Sequence, residues 1–285
     1  MEDKFSRVCV IGVGLIGGSI ALGMRRLGLA DEIVGFGRTE RNLKDALRIG
    51  AITSFTRRIE RAVDGCDLII LAVPVLTMPK LVKSARKYFR EGAILTDVGS
   101  TKANLIKVIE PMLDERVEFV PAHPIAGREK SGARYSDPEI FRTRWTIITP
   151  ARSTTKDSLR KIKQLWEKLG SKVEVMKPEL HDRIMAYVSH LPHIVAYSLV
   201  GALLEIDQRS PLLRFSAGGF RDFTRIAESS PEMWRDICLE NREEIIKAIE
   251  KYEKEIAKIK HWIRKGKGLE LKNFFARCKE VKERI

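Results

Sequence analysis

The 285-residue sequence has only four cysteines, Cys9, Cys66, Cys238 and Cys278, and no two of them stand at CxxC spacing. That excludes a disulfide framework and a cysteine-based zinc site, and it points to a reducing compartment, the cytoplasm. No apolar run approaches the ~20 residues that cross a bilayer, and the opening MEDKFSR leads straight into a strand pattern instead of an export signal. Internal repeats and low-complexity tracts are missing too. So is a basic stripe interleaved with aromatics. The net charge of +14 comes from lysines and arginines spread along the chain and mixed with glutamates, as in NREEIIKAIEKYEKEIAKIKHWIRKGKG. Such mixed segments read as solvated helix faces and argue against nucleic acid as a partner, whereas a small anionic ligand suits the basic balance.

What is present is a globular composition, 44% hydrophobic and 32% charged, in a chain long enough for two domains. From residue 7 to about 175, the apolar runs RVCVIGV, EIVGFG, DLIILAV, AILTDVG, VEFVPA, WTIIT and KVEVM read as buried strands, with helical patterns between most of them. That alternation predicts an α/β domain built on a mainly parallel sheet. After KPELHD the strand signal stops. Residues 178–265 are helical patterns broken at SHLPH, QRSP, SAGGF and ESSPEMW, and a continuous pattern runs from Pro231 to about Lys265. The expected boundaries are residues 1–175 for a Rossmann-type domain and 176–285 for an all-α domain. The long last helix suggests a helical homodimer.

In VCVIGVGLIGGSIALG, Gly12-x-Gly14-x-x-Gly17 follows a strand and opens a helix. In that context the pattern reads as a dinucleotide cradle. Gly12 permits the tight turn, Gly14 admits the pyrophosphate and Gly17 brings the helix onto the sheet. The first-turn amides of Leu15 and Ile16 complete the anion site at the helix N-terminus, and Ser19 offers a hydroxyl. The next strand usually ends in an acid that holds the NAD ribose. Here it ends Gly37-Arg38-Thr39, with Arg41 close by, which favours the 2′-phosphate of NADP. Glu40 keeps NAD open.

Ligands of open parallel sheets lie at the carboxyl ends of the strands. LAVPV brings Val73 and Pro74 there, and TDVGSTK brings Gly99 and Ser100. FVPAHPIAG brings His123, whose two flanking prolines predict that its strand has ended. An imidazole beside a nicotinamide suits a general base, because taking a hydride from a carbinol requires removal of the hydroxyl proton.

The segments GVGLIGGS, DVGSTK, HPIAGREKSG, SHLPH and GGFRDFTRIAESSPEMWRDI, in this order, resemble the prephenate/arogenate dehydrogenase family of tyrosine biosynthesis, from Arg7 to about Ala257. The resemblance implies a Rossmann domain followed by a helical dimerisation domain, with no length left for a fused mutase or a regulatory extension. It implies oxidative decarboxylation of prephenate by hydride transfer to NAD or NADP, or the same reaction on arogenate. His123 is then the base, with an acid limb expected near the ordinary histidine value of ~6.5, and Ser100 lies beside the reacting hydroxyl. Arg225 holds a substrate carboxylate, with Arg221 one helical turn earlier. His193 hydrogen-bonds substrate, Glu129 gates the pocket, Asp182 orders Arg225 through an ion pair, and Trp234 lines the pocket or the dimer contact. No metal is implied. The rival readings are a 3-hydroxyacid-type dehydrogenase, which would use a helical lysine where this chain offers histidines, and a non-catalytic nucleotide-binding protein, which would not need His123 and Arg225 together.

Overall fold

The computed structural model describes residues 4–128, 130, 132–206 and 215–284. In the first half β1 (Phe5–Ile11), α1 (Leu15–Arg26), β2 (Ala30–Phe36), α2 (Glu40–Arg48), β3 (Ser54–Thr56), α3 (Ile59–Val63) and β4 (Leu68–Leu71) are followed by α4 (Met78–Ala85), β5 (Ile94–Asp97) and α5 (Ala103–Ile109). Then come β6 (Glu118–Pro124), β7 (Trp145–Ile148), α6 (Lys156–Lys168) and β8 (Lys172–Val175). The strands form one sheet in the order β3-β2-β1-β4-β5-β6-β7-β8. Every pair is parallel except β6 with β7. The order reverses between β1 and β4, which opens a crevice at their carboxyl ends.

The apolar runs of β1, β4, β5 and β6 are continuous because both faces of the sheet are covered there, whereas β8 at the sheet edge is mostly exposed, not the buried strand its sequence suggested. Alternate residues of β1 divide between two cores: Val8 and Val10 pack in one with Ile20 and Met24 of α1 and Trp166 of α6. Cys9 and Ile11 pack in the other with Val82 of α4 and Ile106 of α5. Cys9 and Cys66 are buried free thiols in that second core.

Two further details of this half differ from the sequence reading. The short β3 and α3 carried no visible pattern. β6 does not stop at Pro121 but runs on to Pro124, with His123 paired to Ile147 of β7. The reason lies in β5, whose last rung pairs Asp97 with Pro121. Beyond it the Ala122 N–H turns to the Asp97 side chain, 3.3 Å away. Pro124 takes the next position on that edge, where no strand remains to receive a donor.

The second half holds α7 (Pro178–Met185), a single π-helical turn at Ala186–His190 and α8 (Leu191–Ile206), all continuous, so SHLPH is not a break. Pro192 has no N–H and its ring crowds the carbonyl four residues back; the wider turn ahead of it absorbs that conflict. QRSP falls at positions 208–211, outside the described residues. Next are α9 (Gly218–Thr224), a 3₁₀ turn at Arg225–Glu228, and α10 (Pro231–Glu240), capped by the Ser230 hydroxyl with Pro231 in the first turn. The expected single helix from Pro231 to Lys265 is two, because α11 (Arg242–Arg264) is separated from α10 at Asn241, whose side chain is drawn inward. Asn241 Nδ2 donates to the Asp182 carbonyl at 2.8 Å. α12 (Gly268–Lys282) folds back beside α11 with no buried residue, and Leu269, Phe275 and Val281 stand exposed on it. By length and composition alone, the helical run Pro178–Leu204 contains an 18-residue window of mean hydropathy 1.3, enough to pass for a membrane span, a test that the core helix of a soluble protein also passes.

Candidate active site

The cradle forms because three positions tolerate no side chain or need none. Gly12 has φ +97, and a Cβ there would collide with the Ala72 carbonyl oxygen. At Gly17 it would strike the Gly12 carbonyl, so α1 can approach the sheet only through glycine. A Cβ at Gly14 would meet nothing within 4 Å, leaving open space in front of the first turn. No acidic side chain occupies that turn and no side chain caps it, so its N–H groups, at Leu15 and the half-buried Ile16, are available to an anion. These residues fit a dinucleotide pyrophosphate. Ser19 does not join them: it is buried, donates to the Leu15 carbonyl at 2.6 Å and accepts from Asp137 N at 2.8 Å. Arg38 and Thr39 are exposed at the tip of β2, and Glu40 opens α2 in an ion pair with Lys44 at 2.8 Å.

Across the crevice the half-buried Val73 and Pro74 follow β4. Gly99 follows β5, where a Cβ would come within 2.7 Å of Val75 Cγ1 and 2.8 Å of the Asp97 carboxylate. Its backbone N–H instead donates to that carboxylate at 2.7 Å. Ser100 is half-buried in the same turn. Two residues on, Lys102 is fully buried and ion-paired with the equally buried Asp97. Burial pushes the Asp97 carboxyl up and the Lys102 ammonium down, each partly offset by the other.

His123 lies on β6 beyond the end of β5, 7% exposed. Its Nδ1 is 2.8 Å from Nε2 of His181, a buried ring on α7. The other nitrogen of His181, Nδ1, is 2.7 Å from the carboxylate of Asp182. In place of the expected pairing with Arg225, the Asp182 oxygens also accept the backbone N–H groups of Lys102 and Ala103 at 2.9 and 2.8 Å, closing the N-terminus of α5. Three segments from both halves thus converge on one polar cluster. Burial holds the His123 pKa well below the ordinary histidine value, and the nearby His181, Lys102 and His190 lower it further. The expected acid limb at ~6.5 therefore moves down.

His190 is buried at the end of the π turn with Asn241 Nδ2 at 3.1 Å from its Nδ1, and burial takes its pKa to about 4. Half-buried His193 donates from Nδ1 to the Ser189 carbonyl at 2.9 Å. Its ring stacks on Trp234 at 3.9 Å between centroids. Trp234 is itself buried in a small cluster with Ala186, Ile237 and Ile245. Arg225 and Arg221 are exposed: Arg225 begins the 3₁₀ turn after α9, and Arg221 Nε donates to Ser216 at 3.3 Å. Glu129, the expected gate, lies outside the described residues. No group of three metal-binding side chains occurs among the described residues.

The sequence reading missed Asp97, Lys102 and the part played by His181. Lys102 and Asp97 sat inside a quoted motif, but their burial has no local signature. His181 was visible only as a neighbour of Asp182 in ELHD.

Two family models match the chain: the nucleotide-binding domain of prephenate dehydrogenase over residues 20–175, and the prephenate dehydrogenase dimerization domain over residues 177–277. The prephenate dehydrogenase of Bacillus subtilis is 35% identical over 99% of this chain and 77% of its own. The cyclohexadienyl dehydrogenase of Zymomonas mobilis is 34% identical over 90% of this chain and 88% of its own. Among solved structures, prephenate dehydrogenase from Aquifex aeolicus in complex with hydroxyphenyl propionate and NAD+ superposes with a TM-score of 0.93 at 38% identity, covering 99% of each chain. With a glycine cradle, a buried histidine at the crevice and matches across both halves, the chain belongs to the prephenate dehydrogenase family.

Proposed function

We propose that this protein is a cytoplasmic, homodimeric prephenate dehydrogenase that converts prephenate to 4-hydroxyphenylpyruvate with NAD(P)+. The observation that carries the reading is His123, a buried imidazole at the carboxyl edge of the sheet, in a chain whose family models span both halves. Its depressed pKa keeps the ring neutral, the form that accepts a proton. Gly12, Gly14, Gly17 and the first turn of α1 hold the dinucleotide, which when bound supplies the hydride acceptor. His123 takes the proton of the C4 hydroxyl as the hydride leaves C4. The resulting dienone draws the electron pair of the bond to the ring carboxylate, carbon dioxide departs and the ring becomes aromatic. The proton returns from His123 to the phenolate oxygen, so the base is restored within one turnover. Ser100 sits beside the hydroxyl. Arg225, with Arg221 as a second cation, receives substrate carboxylate, since a guanidinium matches that geometry. His193, held by Ser189 and Trp234, hydrogen-bonds substrate; Glu129 gates the pocket.

Arogenate, with an amine in place of the keto group, is the second substrate to consider, because a cyclohexadienyl dehydrogenase is among the relatives. NADP is favoured by Arg38 and Thr39 at the tip of β2 and by the engagement of Glu40 with Lys44. The exposed apolar residues of α8, α11 and α12 form the subunit contact, which accounts for the apolar run Pro178–Leu204 without a membrane.

The experiment is anaerobic mixing of the protein with prephenate or arogenate and, separately, NAD+ or NADP+, followed by reduced-nicotinamide absorbance. Turnover with prephenate, faster with NADP+, is expected. No turnover with either substrate refutes the assignment; faster turnover with arogenate, or with NAD+, refutes that part of it.

A further inference from the structure

We propose that His181, held by Asp182, is a positioning residue that fixes His123 as the tautomer with its proton on Nδ1 and a lone pair on Nε2. The inference rests on the reading of His123 as the base, and it assigns that base one working nitrogen. Asp182 anchors the chain of hydrogen bonds. Its oxygens accept the N–H groups of Lys102 and Ala103 at 2.9 and 2.8 Å, as a carboxylate does, and a carboxylate can only accept. His181 Nδ1, 2.7 Å away, must therefore carry a proton and donate it. A neutral imidazole with Nδ1 protonated has a bare Nε2. That bare nitrogen is 2.8 Å from His123 Nδ1, a separation that two lone pairs would not keep. His123 Nδ1 donates, and the lone pair of neutral His123 is left on Nε2.

The ladder runs carboxylate, imidazole, imidazole, and each link dictates the next. It also serves the reaction after proton transfer. When His123 gains a proton at Nε2, the new charge is shared through Nδ1–H with His181 and faces the Asp182 carboxylate beyond it. Without that partner the imidazolium would face the buried Lys102 ammonium from β5–α5 with less compensation. The ladder crosses between the two halves of the molecule, since His123 is on β6 and His181 on α7. The base is thus set only when the helices are docked on the sheet.

The sequence has five histidines, which makes ring-nitrogen spectroscopy tractable. Protein labelled with [15N]histidine is examined by long-range proton–nitrogen correlation, with His123 assigned from the His123→Asn spectrum. A neutral His123 with protonated Nδ1 and bare Nε2 is expected in the unaltered protein. In His181→Leu the two tautomers of His123 should mix. Its kcat should fall about 10–100-fold, the range seen when a partner orienting an imidazole is lost, with KM for prephenate changed less than about twofold because the residue only positions the base. His181→Gln, which offers both a donor and an acceptor, should recover most of the loss. A proton on Nε2 in the unaltered protein overturns the proposal, and so does a His123 tautomer indifferent to His181→Leu. This spectrum needs no turnover. A failure of the base assignment itself would appear separately, as His123→Asn retaining full kcat.

Discussion

A neutral imidazole can take a proton and a charged one cannot, so the pH at which His123 charges sets the acid limb of the rate. Burial and the neighbouring His181, Lys102 and His190 all lower that pKa, while Asp182 acts on the ring only through His181. The acid limb of kcat/KM should therefore lie below ~6.5, the value for an unperturbed histidine. A pH-rate profile with a limb at or above that value would mean that His123 is solvated or is not the titrating group. His123 itself was legible in the sequence because its motif is local. The ladder behind it was not. A ring on β6 and a ring on α7 are 58 positions apart, and their meeting is decided by docking of two domains.

At the scale of elements, the cradle offers a paired test. Gly12→Ala places a Cβ at φ +97 against the Ala72 carbonyl and should destabilise the fold. Gly14→Ala places one in open space, so thermal melts should show a loss under about 1 kcal/mol, the scale of a helix-cap change, while dinucleotide affinity measured by titration falls at least about tenfold, as close backbone approach is lost. Equal affinity in Gly14→Ala would move the pyrophosphate elsewhere. The turn between β5 and α5 offers another. Lys102→Met leaves the Asp97 carboxyl buried without its cation, although Gly99 N–H and Ala122 N–H remain on it. Breaking such a pair should cost roughly 3–5 kcal/mol in denaturant melts; a loss under about 1 kcal/mol, the surface-pair range, would contradict the burial. The main strands were readable because both faces are covered and the runs are unbroken. The break at Asn241 was not, because it is set by partners outside its own helix, Asp182 and His190; at Pro192 the signal is local, but a widened turn carries the helix through where a proline reads as a stop.

The whole molecule carries three buried histidines with lowered pKa, His123, His181 and His190. Below ~6.5 the unfolded chain binds protons that the folded one refuses. The stability these neutral rings contribute is fully present above that pH and is lost as pH falls, for His190 towards about 4. Melting temperature should drop steadily from pH 6.5 downwards; a flat profile to pH 5 would mean these rings are open to water. Sedimentation should give twice the chain mass, because Val188, Leu204, Leu239 and Ile263 are exposed across the helical half. A monomer would leave that surface unexplained. The helical pattern made such an assembly foreseeable; which faces meet depends on a second copy and is not written in local periodicity.

If His123 does the chemistry while Arg225 holds the substrate, steady-state kinetics of His123→Asn and Arg225→Ala, side by side on prephenate, should separate the two roles. The first variant should lose roughly 10²–10⁴-fold in kcat, the range for a lost general base, at little-changed KM, and the second should show a raised KM with a smaller kcat effect. A His123→Asn enzyme turning over at the unaltered rate, or an Arg225→Ala enzyme with unchanged KM, would contradict that division of roles.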